Sequence, residues 1–253
     1  MEPDPTKRFS SRVEDYIRYR PSYPPEVISW LAAECGLAPE SRIADIGSGT
    51  GILTKLFLDF GCDVFAVEPN AEMRAGAERQ LASEPRFRGV AARAEATTLP
   101  DASVDFVTAG QSFHWFDAAA ARAEFRRILT PHGWVVLIWN ERLVTGGFLA
   151  EYEEMLQRLS SDYGRVDHRR IDRAEIERFF EHRAWRTASF PNQQDFGWNG
   201  IRGRLLSSSY APLPGSPKYA PMMEDLAAMF EKYRQGGEVK LLYETKMYAG
   251  QLA

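Results

Sequence analysis

Along the first 140 residues, short apolar runs alternate with segments whose apolar positions recur at helical spacing. Ile43-Ala44-Asp45-Ile46 reads as a strand, and Ile52-Leu53-Thr54-Lys55-Leu56-Phe57-Leu58 as an amphipathic helix. Cys62-Asp63-Val64-Phe65-Ala66-Val67 is the next strand, after which Pro69-Asn70-Ala71-Glu72-Met73 turns into another helix. Residues 87–92, 104–109 and 133–140 supply a third, fourth and fifth strand. The alanine-rich segment 118–129 is helical, and Pro131-His132-Gly133 ends its connection to the fifth strand. Residues 24–34 form a helix ahead of the first strand, with proline at its start, where a missing N–H is tolerated. This order predicts an α/β fold, a parallel core sheet covered by helices on both faces.

Past residue 148 the rhythm changes. Helices are expected over 148–163, 172–180, 200–208 and 219–234, with a strand over 185–190. A last strand over 239–250 follows the turn Gln235-Gly236-Gly237. No internal repeat or low-complexity linker interrupts the chain, so one domain with a helical insertion is the simplest parse.

The junction after the first strand carries the chemistry. Three glycines, Gly47, Gly49 and Gly51, stand at every second position between strand and helix. Such a turn needs backbone angles closed to other residues and lets a ligand approach the bare main chain, with Ser48 inside it. The helix behind it offers free N–H groups to something polar or anionic. Dinucleotide loops read G-x-G-x-x-G, whereas this one reads G-x-G-x-G and follows the acidic Asp45. The departure points to a ligand without phosphates. Glu68 ends the second strand, 21 positions after Gly47, where a carboxylate accepts hydrogen bonds from both hydroxyls of a ribose. Met73 is placed to pack on an apolar ring face.

Together, Asp45, the glycine turn, Glu68 and Met73 resemble the S-adenosylmethionine site of class I methyltransferases. The competing readings are an NAD-binding Rossmann unit, hence an oxidoreductase, and a related fold that binds nothing. Ala94-Glu95-Ala96 looks like the family's adenine-facing loop, which would use the backbone of Ala94 and the side chain of Glu95; otherwise Glu95 is a solvated carboxylate. Gly110 and Gln111 leave the fourth strand at the sheet edge where open α/β folds place ligands, and are expected beside the methionine part of the cofactor. Pro69 flanks Glu68 in the same site.

Gln111-Ser112-Phe113-His114-Trp115-Phe116 and the amino-terminal Val13–Pro24 stretch resemble a branch that includes trans-aconitate methyltransferase-like proteins, with a methyltransferase type 11 domain. The resemblance implies a Rossmann-like, seven-stranded, mostly parallel sheet with an antiparallel final strand. It implies residues 1–34 as an amino-terminal cap, 35–140 as the cofactor-binding core, 141–237 as core elements with a helical lid, and 238–253 as the final strand. The cap would fold over the cofactor, with Tyr16 closing the site and Arg20 pairing with the methionine carboxylate. Alternatively, Tyr19-Arg20-Pro21 anchors the segment by aromatic and guanidinium stacking.

Composition narrows the partners. Apolar residues make up 44% and charged ones 26% of 253 residues, ordinary for a globular protein. A net charge of −4 provides no basic field for a nucleic acid backbone, and the basic run 165–173 is diluted by nearby carboxylates. No run is long enough to cross a bilayer, and the start lacks the order of an export signal, so a cytoplasmic location is expected. The two cysteines, Cys35 and Cys62, are too few for a disulfide framework and badly spaced for a metal site.

The expected partner is therefore a small-molecule methyl acceptor. A carboxylate acceptor is already ionised and needs no base, whereas a hydroxyl or carbon acid does. Among four histidines, His114 stands in the best position to be that base, or else it is a wall of the pocket. Trp115 and Phe116 either shape an acceptor cavity or belong to the core. Arg202 or Arg204 is a candidate to hold an acidic acceptor, unless both are surface residues of an exposed helix. A cofactor-binding regulatory protein with a degenerate acceptor site is the non-enzymatic alternative.

Overall fold

Neighbouring residues of each strand point to opposite faces of one sheet, and the two faces build two separate cores. The structure is a computed structural model that describes residues 13–160, 163, 173–181 and 184–252. The basic run 165–173, His168, His182 and the first twelve residues of the cap lie wholly or mainly outside the described residues. The elements in chain order are α1 (Val13–Tyr19), α2 (Glu26–Cys35), β1 (Arg42–Ile46), α3 (Ile52–Phe60), β2 (Asp63–Val67), α4 (Ala71–Gln80), β3 (Phe87–Val90) and β4 (Val104–Gly110). They continue with α5 (Ala118–Ile128), β5 (Leu129–Arg142), α6 (Gly147–Leu159), α7 (Arg173–Phe179), β6 (Trp185–Phe196), α8 (Trp198–Leu206), α9 (Tyr219–Tyr233) and β7 (Val239–Gly250).

The seven strands lie in the order β3-β2-β1-β4-β5-β7-β6. β1 to β5 pair in parallel. β7 is antiparallel to both β5 and β6, so β7 alone runs against the rest. On one face Ile43, Val64, Phe106 and Ile138 pack with α2 and α3. On the other, Ala44, Val107, Leu137 and Trp139 pack with Phe125 of α5 and Phe179 beside it. This is the expected Rossmann-like arrangement with helices on both faces. A third core joins α6, α8 and α9 to the start of β7, beside the carboxyl end of β5, where Arg142 pairs with Tyr243. That helical layer covers the sheet at the carboxyl end of β5.

Several boundaries differ from those expected. β5 starts at Leu129, so Pro131-His132-Gly133 lies within the strand. Val104 pairs with Leu129 and Phe106 with Trp134, so two steps along β4 face five along β5, and the surplus bulges outward. β6 runs on to Phe196 because Pro191 to Phe196 keep pairing with β7; their polar side chains suit the open side of an edge strand. α6 stops at Leu159, where Ser160 turns extended, and β3 ends at Val90. The amino-terminal cap contains a helix, α1, that ends before Pro21, which disfavours helical angles in the residue preceding it. Among the described residues no helix is long and apolar enough to cross a membrane.

Candidate functional site

Strand order reverses between β1 and β4, and a cavity opens at their carboxyl ends under α1 and the helical layer. Its floor is the glycine turn. Gly47, Gly49 and Gly51 all take positive φ, at 65°, 58° and 85°. At Gly47 a Cβ would also stand 2.6 Å from that of Ser112, so both angle and space demand glycine. Gly47 N–H donates to Val67 O at 2.8 Å, tying the turn to the end of β2. Gly51 caps α3 and does not line the cavity; a Cβ there would meet Leu81 at 2.8 Å, so its part is packing.

Two buried carboxylates face this floor. Asp45 accepts from Thr54 Oγ1 at 2.6 Å and from Thr108 Oγ1 at 3.0 Å. Burial pushes its pKa up to about 6, opposed by the two hydroxyls. Glu68 accepts from Gly49 N–H at 2.9 Å and Asn70 N–H at 2.8 Å. Burial raises its pKa as well, against those two N–H groups and Arg74. The Ser48 hydroxyl in the same wall is buried and has no hydrogen-bond partner among the described residues. Pro69 and Met73 complete this side; Met73 is held by the Asn70 side chain, which accepts its N–H at 2.8 Å.

The opposite wall comes from the loops after β3 and β4. Ala94 and Glu95 line the cavity, and one Glu95 oxygen accepts the Asp117 N–H at 2.9 Å just ahead of α5. Gly110 would place a Cβ 2.6 Å from the Tyr23 hydroxyl, which roofs it. Gln111 takes φ 58°, strained for a residue with a side chain. Its N–H donates to Ile138 O and its Nε2 to Asn140 O at 3.0 Å, so the turn is held by β5. His114 sits on a single 3-10 turn, its ring 4.7 Å from that of Trp115, and both line the cavity. Phe116 lines the cavity too, while Phe113 enters the core.

Where the cap and the helical layer line the cavity, its wall becomes basic. Arg20 lies over the Tyr16 ring at 4.8 Å and donates to Ser207 O at 3.1 Å. The hydrogen bond ties the cap to the end of α8, the stacking stays within the cap, and Arg20 also lines the cavity with Tyr16. Arg204 is 6% exposed and donates to Tyr243 and Ser208 hydroxyls. Arg202 points outward to Tyr219, so of the two arginines on α8 only Arg204 reaches the cavity. Arg142, at the end of β5, pairs with Glu153 at 2.5 Å and donates to Tyr163 at 3.0 Å. Arg20 and Arg204 meet no carboxylate among the described residues.

Arg142, Tyr163 and Asn140 escaped the sequence reading. Asn140 and Arg142 stand at the carboxyl end of β5, the same edge of the sheet as Gly110 and Gln111 after β4. Asn140 is fixed by Thr245 Oγ1, which donates to it at 2.5 Å, and itself donates to Ser22 O at 3.1 Å.

Comparison with known proteins agrees with this geometry. Residues 44–137 match a family model described as a methyltransferase domain. An uncharacterized methyltransferase of Mycobacterium tuberculosis is 40% identical over 155 residues, 61% of this chain and 61% of that protein. The match thus spans about three-fifths of the relative's length. Among solved structures, a protein assigned as a type II methyltransferase of Anaeromyxobacter dehalogenans superposes with a TM-score of 0.66 at 24% identity, covering 92% of this chain and 98% of that one. Phosphoethanolamine N-methyltransferase 2 of Haemonchus contortus, in complex with S-adenosyl-L-methionine, gives a TM-score of 0.57 at 15% identity, covering 98% of this chain and 58% of that one. Segment and fold agree: residues 44–137 match a methyltransferase domain, and the chain folds into the Rossmann-like sheet that these structures share.

Proposed function

We propose that this chain is an S-adenosylmethionine-dependent methyltransferase whose acceptor is a small carboxylic acid. One observation carries the proposal: the cavity is acidic at the glycine turn and basic where the cap and the helical layer line it. Asp45 and Glu68 beside the turn favour hydroxyl and ammonium donors and repel a pyrophosphate, which weighs against a dinucleotide. The buried guanidiniums of Arg20 and Arg204 lack a carboxylate partner, a costly arrangement unless an anion completes it. Glu68 would take the ribose hydroxyls, Asp45 the ammonium end and Arg20 the carboxylate of the methionine part. Ala94 and Glu95 would meet the adenine edge, with Gly110 and Gln111 alongside. The cofactor supplies an activated methyl group on a sulfonium.

For the acceptor, Arg204 and the unpaired Nη1 of Arg142 provide the binding charge. A carboxylate is ionised at neutral pH, so no proton has to be removed and His114 serves as a wall with Trp115. The protein's contribution is alignment at near-contact distance, with α1 and the helical layer excluding water. Calorimetry tests the cofactor half: S-adenosylhomocysteine should bind and NADH should not. Tight NADH binding with no S-adenosylhomocysteine binding would overturn the proposal. Cofactor binding without turnover on any acid would favour a regulatory protein instead.

A further inference from the structure

The three guanidiniums of the basic wall differ in what balances them. Arg142 is paired. Its Nη2 lies 2.5 Å from Glu153 Oε2 and donates to the Tyr163 hydroxyl at 3.0 Å, which in turn donates to Glu153 at 2.7 Å. Its guanidinium lies over the ring of Tyr152, the residue before Glu153 on α6, at 4.8 Å. Gln157, one turn further along α6, donates to the other Glu153 oxygen at 3.0 Å. The Arg142 and Glu153 side chains are 9% and 5% exposed, so the pair is buried and compensated. The ring of Tyr210, in the loop after α8, stands edge-on to Tyr163 with centroids 4.8 Å apart, and both residues line the cavity.

Arg20 and Arg204 are held by neutral groups. Arg20 donates to the Ser207 carbonyl, and Arg204 to the hydroxyls of Ser208 and Tyr243, so both reach the end of α8. Tyr243 is also the β7 partner of Arg142, which ties the third guanidinium to the same group. Among the described residues, Glu153 is the one carboxylate that pairs with any of the three. Three positive charges against one negative leave two, and the methionine carboxylate assigned to Arg20 takes up one of them. Of the two arginines assigned to the acceptor, only Arg204 therefore brings an uncompensated charge. Arg142 brings a donor, Nη1, which is buried without a hydrogen-bond partner among the described residues.

We propose that the acceptor is a monoanion, with one carboxylate held by Arg204 and a second, uncharged oxygen held by Arg142, and that Glu153 is the positioning residue that sets this limit. Glu153 does not line the cavity. It acts through Arg142, fixing the guanidinium against Tyr152 and Tyr163 and cancelling its charge. A dianion would bring its second charge to a guanidinium that already holds a carboxylate, losing hydration for no net attraction. The inference rests on the carboxylate-acceptor proposal and on the assignment of Arg20 to the cofactor.

Succinate and its monoamide, succinamate, have nearly the same shape and differ by one charge near neutral pH. Malonate with malonamate, and glutarate with glutaramate, repeat the comparison at other lengths. Calorimetry is done with S-adenosylhomocysteine bound, which carries the methionine carboxylate and no sulfonium charge. In the wild type the monoamide should bind at least about tenfold more tightly than its diacid, the low end for a close charge pair. Glu153→Gln keeps the volume and an oxygen for the Arg142 N–H, and frees one positive charge. It should reverse the order, the diacid gaining at least about tenfold relative to the monoamide. Equal affinities in the wild type, or a preference for the diacid, would overturn the proposal whether or not the variant folds. An unchanged order in folded Glu153→Gln, or an equal loss of both ligands, would overturn the role given to Glu153. Binding of none of the six, with S-adenosylhomocysteine still bound, would count against the carboxylate acceptor itself and take this inference with it.

Discussion

Asp45 and Glu68 are buried carboxylates whose internal hydrogen bonds offset only part of the cost of burial, and their behaviour can be predicted one residue at a time. Burial lifts the Asp45 pKa to about 6 from an ordinary 3.8, so the folded state holds a proton that the unfolded state has lost. The resulting penalty is absent below the ordinary value, grows as pH rises through that window, and reaches about 3 kcal/mol above it. Asp45→Asn should therefore raise the melting temperature of the ligand-free protein at neutral pH. It should also weaken cofactor binding and remove the strengthening of wild-type affinity expected as pH rises through about 6; calorimetry across that range reads both. Glu68→Ala should cost roughly 1.5–3 kcal/mol of cofactor affinity, the scale for hydrogen bonds to a charged group. Because Glu68 also holds the Gly49 and Asn70 N–H groups, a smaller loss of thermal stability should accompany it. His114→Ala should alter turnover modestly. A fall of about 10²–10⁴ with unchanged affinities would show that it is a base after all.

Among the elements, α1 is the one whose position most affects the site. It packs on α4, where Val13 and Ile17 approach Gly76, and on α8, where the Tyr19 ring lies against Gly203. A Cβ on Gly203 would fall 2.1 Å from that ring, so Gly203→Ala should push α1 off α8 at a cost of about 1–3 kcal/mol. Faster hydrogen exchange in residues 13–19 and weaker cofactor retention would register it, while protection of β1 and β4 stays unchanged. Most elements of the sheet were legible because their apolar spacing is local: β1, α3, β2 and β4 lie within a residue or two of their predicted ends. α1 was less so, since its helicity depends on partners far along the chain. β6 was cut short for a related reason. Its polar second half is a strand only because β7, some fifty residues later, pairs with it.

At the scale of the whole molecule, the acidic and the basic end of the cavity differ in how they are encoded. Asp45, the glycine turn and Glu68 fall within one βαβ unit, so spacing alone brought them forward. Arg20, Arg142, Tyr163, Arg204 and Tyr210 come from segments that meet only when the helical layer closes over the sheet, and no local pattern joins them. Arg204→Gln should raise the acceptor KM while leaving S-adenosylhomocysteine affinity within error. Methyl transfer from labelled S-adenosylmethionine to a panel of small carboxylic acids tests the central claim most directly. Label should pass to at least one acid and be released as volatile methanol by mild alkali, the signature of a methyl ester. Label that survives alkali, on an amine or a phenol, would contradict the assignment of the basic end as a carboxylate site.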